Sequence, residues 1–422
     1  MTSTSETGSP ASLRAAIVVP MLAVLLGLQP VTTDLYLPAL PALRTDLAAT
    51  MAQAQLTLSG LLLAFGIAQL FAGALADRHG RRPVLLGGLA VYAAATVASA
   101  LAPSIGFLVA CRALQGIGLA AAVVCARAVV RDLYEPQQGA RVMARALSGL
   151  GIFALTGPPV GAVLVTTWGW RATFTACAVF AALAIAMVVL RLPETLRSPN
   201  REATRPAGLL RAWRTIAVHP AFVSWTLLIS ATYGMLYTFL AGSSFLFIEV
   251  MGSSRLGFGL ALSCTTGAYI AGTLVCHRRL HRLGLQRTVR RGALMAVVGA
   301  LALVVIVWGG WHSPLTVTAA SMCLNFSHGH QQPCGQTAVT GPFPALAGTA
   351  SALSGFVMSA TAFGIGAWLG RAMDGTAAPV LLTQAAFALA TAAVAFTLVR
   401  RHGAVGVAGV AGAAAGPAGV KP

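Results

Sequence analysis

Charge is what this sequence has least of. Its 422 residues hold 10 carboxylates and 28 basic side chains, so 9% are charged, against about 25% in an average soluble domain. A solvated surface cannot be built from that supply. Cysteine is sparse and scattered: Cys111, Cys125, Cys177, Cys264, Cys276, Cys323 and Cys334 fall singly in or beside apolar runs, with no CxxC. An odd count without paired spacing points to neither a disulfide framework nor a zinc site, and leaves small packing residues. Nucleophile–base pairings, a P-loop and a dinucleotide fingerprint are missing too, and the glycines of GIGLAAA (116–122) follow no strand. Neither an enzyme nor a cofactor or metal is expected. A cleavable leader is not expected either, because residues 1–13 are polar and the first apolar run continues into a full span.

What the chain has instead is apolar length. It is 57% hydrophobic with a mean hydropathy of +0.79. Residues 73–83, GALADRHGRRP, separate TLSGLLLAFGIAQLFAG (57–73) from VLLGGLAVYAAATVASALA (84–102). Each flank approaches the roughly 20 apolar residues that cross about 30 Å of hydrocarbon. The short loop carrying Asp77, Arg78, Arg81 and Arg82 cannot enter lipid, so it joins two antiparallel spanning helices at a membrane surface. Extended along the chain, this pattern predicts twelve spans: 15–36, 54–73, 84–102, 105–126, 146–167, 172–190, 219–241, 257–275, 292–310, 314–336, 349–370 and 379–399. The tenth is the least regular, being interrupted by polar residues.

Basic residues orient these spans. With the N-terminus inside, 23 Lys and Arg fall in cytoplasmic segments and only Arg44, Arg171, Arg255 and Arg371 on the other side, with Arg112 inside a helix. Such asymmetry is the positive-inside pattern. It accounts for the net charge of +18 without a nucleic-acid partner. The resulting organisation is a cytoplasmic tail (1–14), a six-helix half (15–190), a cytoplasmic linker (191–218), a second six-helix half (219–399) and a low-complexity tail (400–422). A central linker between two six-helix halves suggests a duplicated transporter with its solute site between the halves near the midplane. The internal repeat is faint: HRRLHRLGLQR (277–287) copies the basic character of 78–82 without a counterpart of Asp77.

Several stretches resemble the major facilitator superfamily, and within it the twelve-helix drug:proton antiporters of the Bcr/CflA multidrug-efflux type. Gly73, Asp77, Arg78, Gly80, Arg81 and Arg82 match the superfamily's loop 2–3 motif. CRALQGIGLAAA (111–122) is similar to its helix 4 motif, through Arg112, Gln115 and Gly116. LTGPPVGAVL (155–164), with Gly157, Pro158 and Gly161, is similar to the helix 5 motif of antiporters. TTDLYLPALPAL (32–43), GMLYTFLAGSSFLFIEVMG (234–252) and GPFPALAGTASALSG (341–355) resemble the Bcr/CflA group more narrowly. The resemblance implies an all-α transmembrane fold of two six-helix halves related by pseudo-two-fold symmetry. It also implies proton-coupled efflux of small amphipathic compounds by alternating access. There are departures. Pro159 follows Pro158, residues 26–30 lack a second carboxylate that some relatives carry, and SHGHQQPCGQ (327–336) replaces an Asn- and Ala-rich stretch.

The individual residues leave paired readings open. Asp34 is the only carboxylate inside a first-half helix. An ionised Asp at a helix centre costs about 2.5–3.5 kcal/mol on insertion scales and usually marks a proton or ion route. Alternatively it is simply interfacial. Arg112 either snorkels or lines a cavity, where it would keep a nearby carboxylate ionised. Gln115 lies one turn along the same face and Tyr36 follows Asp34 in the subfamily stretch, and both are expected on the wall of a substrate cavity. The loop 2–3 charges are either topogenic or a conformational latch, with Asp77 accepting from a neighbouring helix N-terminus or pairing with an arginine across the halves. Gly157 and Gly161 in helix 5, and Gly259, Ser263, Gly267 and Ala271 in helix 8, read as small faces through which the two helices pack across the halves. In helix 10, Asn325, His328, Gln332 and Gln336 are spaced 3, 4 and 4 and form one polar stripe. That stripe is either a cavity wall, with His328 an auxiliary proton acceptor, or a structural network.

The expected protein is therefore an inner-membrane, multi-pass exporter with both termini cytoplasmic, working as a monomer. Its partners are small-molecule substrates and the bilayer, and protons are its coupling ion. The alternative is a dedicated exporter of one metabolite or toxin. A proton-coupled importer and a non-transporting sensor are more distant readings, which uptake and flux assays would separate.

Overall fold

The computed structural model describes residues 10–196 and 198–403, apart from the side chains of 10–16, 136 and 140. Of the sequence expectations, the Arg14 side chain, Arg197, Lys421 and the tails 1–9 and 404–422 lie outside what is described. The twelve long helices are α1 Pro10–Asp34, α2 Met51–His79, α3 Arg81–Ala100, α4 Ile105–Leu133, α5 Pro136–Trp168 and α6 Arg171–Arg191, followed by α7 Pro220–Phe245, α8 Arg255–Leu283, α9 Leu285–Trp308, α10 Pro314–Thr340, α11 Ala347–Ala372 and α12 Ala378–Phe396. Eleven of the described helical stretches are apolar and long enough to cross a membrane. The exception is α10, whose His, Gln and Asn residues lower its hydropathy, yet it is packed inside the bundle against α7, α8 and α9.

Local chemistry sets the ends. Thr50 and Ser313 cap α2 and α10 with reciprocal capping boxes, while Ser104 and Ser254 cap α4 and α8 with single side-chain bonds. Gly80 (φ +102°) alone separates α2 from α3, and Gly284 (φ +72°) alone separates α8 from α9. Both angles suit a residue without Cβ. The two junctions occupy equivalent places in the two halves, so the repeat that is faint in residues is plain in backbone geometry.

Two departures from the predicted loops matter. A short 3-10 turn, Leu37–Ala39, and a helix, Leu40–Asp46, extend the first span beyond Asp34. The linker is not all loop: Pro206–Ala217 is helical, with Pro206 as its first residue, Ile216 fully buried and Trp213 edge-on to Phe71 of α2 at 5.6 Å. Leu209, Trp213 and Ile216 recur at 3–4 residue spacing, an amphipathic signal hidden among arginines.

The halves meet along two seams. In the first, α2 lies against α11 so closely that a Cβ on Gly66 would sit 2.4 Å from Ser359, and one on Gly366 2.6 Å from Ser59. In the second, α5 meets α8: a Cβ on Gly259 would fall 2.9 Å from the Pro158 carbonyl, and Ser263 Oγ donates to Leu155 O at 2.7 Å. The expectation for this seam needs correction. Gly157 and Gly161 do not face α8; their missing Cβ atoms make room for Asp34 and the Leu35 carbonyl, at 3.1 and 2.4 Å. Gly149 likewise faces Ala23 of α1. The small face of α5 therefore seats the end of α1, and only the helix 8 face crosses the halves. That face stops short, since nothing lies within 4 Å of a Cβ on Gly267.

Candidate functional site

Two cavities lie on the line between the halves. The central one, about 290 Å³, is walled in the first half by Gln29, Thr33, Asp34, Leu58, Leu62 and Leu150. Its second-half wall includes Tyr233, Tyr237, Tyr269, Asn325, His328 and Gln332. Among the described residues, Asp34 is the one charged residue on this wall. It ends α1, where Gly157 brings α5 against its Cβ, and its Oδ1 accepts from Thr33 Oγ1 at 2.8 Å. The site is thus a mostly apolar chamber with one carboxylate and a few neutral polar groups, the composition of a small-molecule pocket.

Asn325, His328 and Gln332 of the helix 10 stripe do line the chamber. Three other expected residues sit elsewhere. Arg112 is fully buried behind the wall and neither snorkels nor faces the chamber. It donates from Nε to Thr57 O at 3.0 Å and from Nη1 to Gln115 Oε1 and Thr32 O at 3.0 and 3.4 Å. Its guanidinium stacks 4.2 Å over the Tyr36 ring, and it has no ion pair among the described residues. Tyr36, fully buried beneath Arg112, bonds Thr57 Oγ1 through its hydroxyl, and Gln115 donates to Thr96 Oγ1 at 2.7 Å. These residues tie α1, α2, α3 and α4 into one block behind Asp34. The physical reason is economy of burial: a planar guanidinium can satisfy several carbonyls and stack on a ring at once, which a wetted wall position would forgo.

The second cavity, about 480 Å³, opens at the arginine-rich end between α2, α4, the linker and the start of α11. Asp77, Arg81, Arg127, Arg131 and Gly73 face it from one side, Gly348 and Thr349 from the other. The loop 2–3 residues make their bonds within the first half and the linker. Asp77 and Asp132 both pair with Arg81, at 2.6 and 2.9 Å. Arg78 donates to Thr204 Oγ1 at 2.6 Å, and Arg82 to Val189 O at 3.1 Å. No arginine of the second half meets Asp77 among the described residues, so the cross-half pairing expected for the latch is not made in this arrangement. At the opposite, arginine-poor end the halves are bound directly. Arg44 pairs with Glu249 at 3.0 Å, and buried Gln55 donates to Ala241 O at 2.8 Å.

A family model for the Major Facilitator Superfamily matches residues 22–367. The chain belongs to this superfamily. Multidrug resistance protein D of Escherichia coli (strain K12) is 28% identical over 335 residues, 79% of this chain and 84% of that one. A bicyclomycin resistance protein homolog of Haemophilus influenzae is 26% identical over 387 residues, 90% of this chain and 96% of that one. Among solved structures, a bacterial homolog to the human lysosomal transporter Spinster, inward-facing and unoccupied, aligns with a TM-score of 0.69 at 16% identity, covering 94% of this chain and 98% of that one. That likeness is one of fold. As a superfamily member the protein is a multi-pass membrane transporter.

Glu194 and Asp132 belong to none of the sequence motifs above, yet both carry contacts at this end. Glu194 Oε1 accepts from the backbone N–H groups of Arg81, Thr195 and Leu196 at 2.9, 2.9 and 2.8 Å, and Oε2 from that of Arg82 at 3.1 Å. It caps α3 from a distance of 113 residues. Partial desolvation of this exposed side chain works against its charge, but the donors of Leu196, Arg81, Arg82 and Thr195 outweigh that and hold its carboxyl below the usual carboxylate range. The signal available was scarcity itself, since two of only ten carboxylates stand beside arginine-rich segments. No motif gives a role to Tyr233, Tyr237 or Tyr269 either, although the first two share a helical face four residues apart and stack at 6.3 Å.

Proposed function

We propose that this superfamily member is a proton-coupled exporter of small amphipathic compounds, working by alternating access in a bacterial inner membrane with both termini cytoplasmic. The observation that carries the reading is Asp34, the lone charged residue among the described ones on the wall of a largely apolar chamber between the halves. Its relatives' names, multidrug resistance and bicyclomycin resistance, point the same way. In this cycle the chamber opens outward, Asp34 takes a proton and solute leaves; the chamber then opens inward, the proton departs and new solute binds. Each proton driven by 100 mV contributes about 2.3 kcal/mol, without ATP. Arg112 acts from behind the wall: by holding Thr32 O and the Tyr36 ring it positions the end of α1 that presents Asp34. Asp77 lies across the open cavity from the first turn of α11, and closure of that cavity would bring its charge to the positive end of the helix. That contact, with Gly73, Gly80 and the loop arginines shaping the turn, is the latch of the outward-open state.

Purified protein in proteoliposomes under an imposed pH gradient tests the reading. Asp34→Asn should keep its fold and its solute binding while losing proton-driven efflux. Undiminished pH-driven transport by that variant would refute the assignment.

A further inference from the structure

The cysteines that are scattered along the sequence include one pair that meets in space. Cys276 of α8 and Cys334 of α10, 58 residues apart, hold their Sγ atoms 3.5 Å from each other. Both are buried, at 3% and 2% exposure. Cys276 Sγ also lies 3.7 Å from His330 O of α10. Among the described residues this is the one thiol–thiol contact within hydrogen-bonding reach. It follows from how the helices cross. α8 and α10 run in the same direction and touch backbone to backbone: a Cβ on Gly272 would fall 2.3 Å from Phe326 O, and one on Gly329 2.5 Å from Tyr269 O. About one turn beyond that crossing, each helix presents a thiol to the other. The two sulfurs need to close by about 1.5 Å to bond, a motion on the scale of a side-chain rotation.

Position gives the pair leverage. Cys334 follows Pro333, which has no N–H to offer the Gly329 carbonyl, so α10 is weakened just before the thiol. The chamber residues Asn325, His328 and Gln332 stand on one side of Pro333 and Cys334 on the other. Beyond Cys334 the helix ends at Thr340, and residues 341–346 lead into the first turn of α11. Ala345, Leu346, Gly348 and Thr349 wall the cavity at the arginine-rich end, the one whose closure forms the latch. A covalent bond from Cys334 to α8 would tie the segment that carries this rim to the body of the second half.

We infer that Cys276 and Cys334 form an oxidisable dithiol, which a peroxide converts to a disulfide that staples α10 to α8 and slows closure of the rim. In the first step one sulfur attacks a peroxide oxygen, the O–O bond breaks, and water leaves with the thiol's proton, giving a sulfenic acid. In the second the other sulfur attacks the oxidised one, the S–O bond breaks, a second water leaves with the remaining thiol proton, and S–S forms. The two thiols give up two electrons and the peroxide takes them. The arginine-rich end is cytoplasmic in the reading above, where thiols are kept reduced, so the resting form is the dithiol. The covalent step stands apart from the exporter reading; its effect on transport rests on that reading.

Purified full-length protein, treated with hydrogen peroxide and then alkylated, tests the pair by peptide mass spectrometry. The expected product is a Cys276 peptide joined to a Cys334 peptide, lighter by two hydrogens and separated by dithiothreitol. Amide hydrogen exchange over residues 335–349 should slow about tenfold on oxidation, the scale on which a disulfide suppresses local opening. It should recover with dithiothreitol and stay unchanged by peroxide in Cys276→Ala and Cys334→Ala. With ethidium as probe in proteoliposomes under an imposed pH gradient, the oxidised parent should lose most of its flux, and both variants should keep theirs. The inference is overturned by free thiols at both positions after oxidation, by a sulfinic acid or a link to another cysteine in place of this bond, or by a linked protein whose exchange equals that of the reduced one. A linked protein with unslowed ethidium flux overturns the staple's effect on the rim. If the parent moves no ethidium, or Asp34→Asn keeps pH-driven flux, the exporter reading bears that failure, while the peptide link and the exchange rates still judge the dithiol.

Discussion

Glu194→Gln removes one charge from the junction of α2 and α3 while preserving side-chain size. The carboxylate collects four backbone N–H groups, two of them the first donors of α3. Gln keeps one acceptor oxygen but turns an NH2 toward the Arg82 or Arg81 donor, so at least one bond becomes a donor–donor clash. Loss of a helix cap costs roughly 0.5–2 kcal/mol, and loss of an anion at a helix N-terminus about 0.3–1 kcal/mol. Glu194 is exposed, and solvent screening discounts both terms, leaving about 0.5–2 kcal/mol. The sign with pH follows from the carboxyl being held below its ordinary range. Its stabilisation is fully present above the unfolded value near 4.3 and fades as pH falls through the folded value. Reversible denaturation of the purified protein in micelles should therefore show the variant weaker than the parent at pH 7. The gap should narrow below about pH 4. Equal stability at pH 7, or a gap that stays constant down to pH 3, would show that the carboxylate does not hold this junction.

Two other perturbations probe the frame around the chamber. Arg44 and Glu249 join the halves at the arginine-poor end, each 32% exposed, and such a pair contributes about 0.2–1 kcal/mol. Arg44→Glu should shift the population toward separation of that end, seen as a longer distance between spin labels on the two halves, and Arg44→Glu with Glu249→Arg should reverse it. Gly161→Val would place a Cβ 2.4 Å from the Leu35 carbonyl. It should destabilise the protein by about 1–3 kcal/mol in micelle unfolding and lower efflux by displacing Asp34. Gly267→Ala, where open space lies around the new methyl, should do neither.

Much of this molecule is written in one dimension. Membrane class, the number of spans and the positions of their loops follow from apolar length and arginine placement, because lipid forbids both charge and unpaired backbone over a fixed thickness. The motif residues of loop 2–3, α4 and α5 were likewise recognisable by type and spacing. So was the face of α10 that meets the chamber, since a polar stripe on a lipid-bounded helix has few other places to go. The linker helix Pro206–Ala217 was hidden because its arginines masked a short apolar stripe.

Only the tertiary structure decided partners. Sequence could not say that Arg112 turns away from Asp34 to stack on Tyr36, that Gly157 and Gly161 seat α1 instead of α8, or that Glu194 caps a helix 113 residues earlier. Periodicity fixes which face of a helix a residue occupies. It carries no information about which of eleven other helices that face will meet, since in lipid the choice rests on close packing and hydrogen bonds between surfaces far apart in the chain.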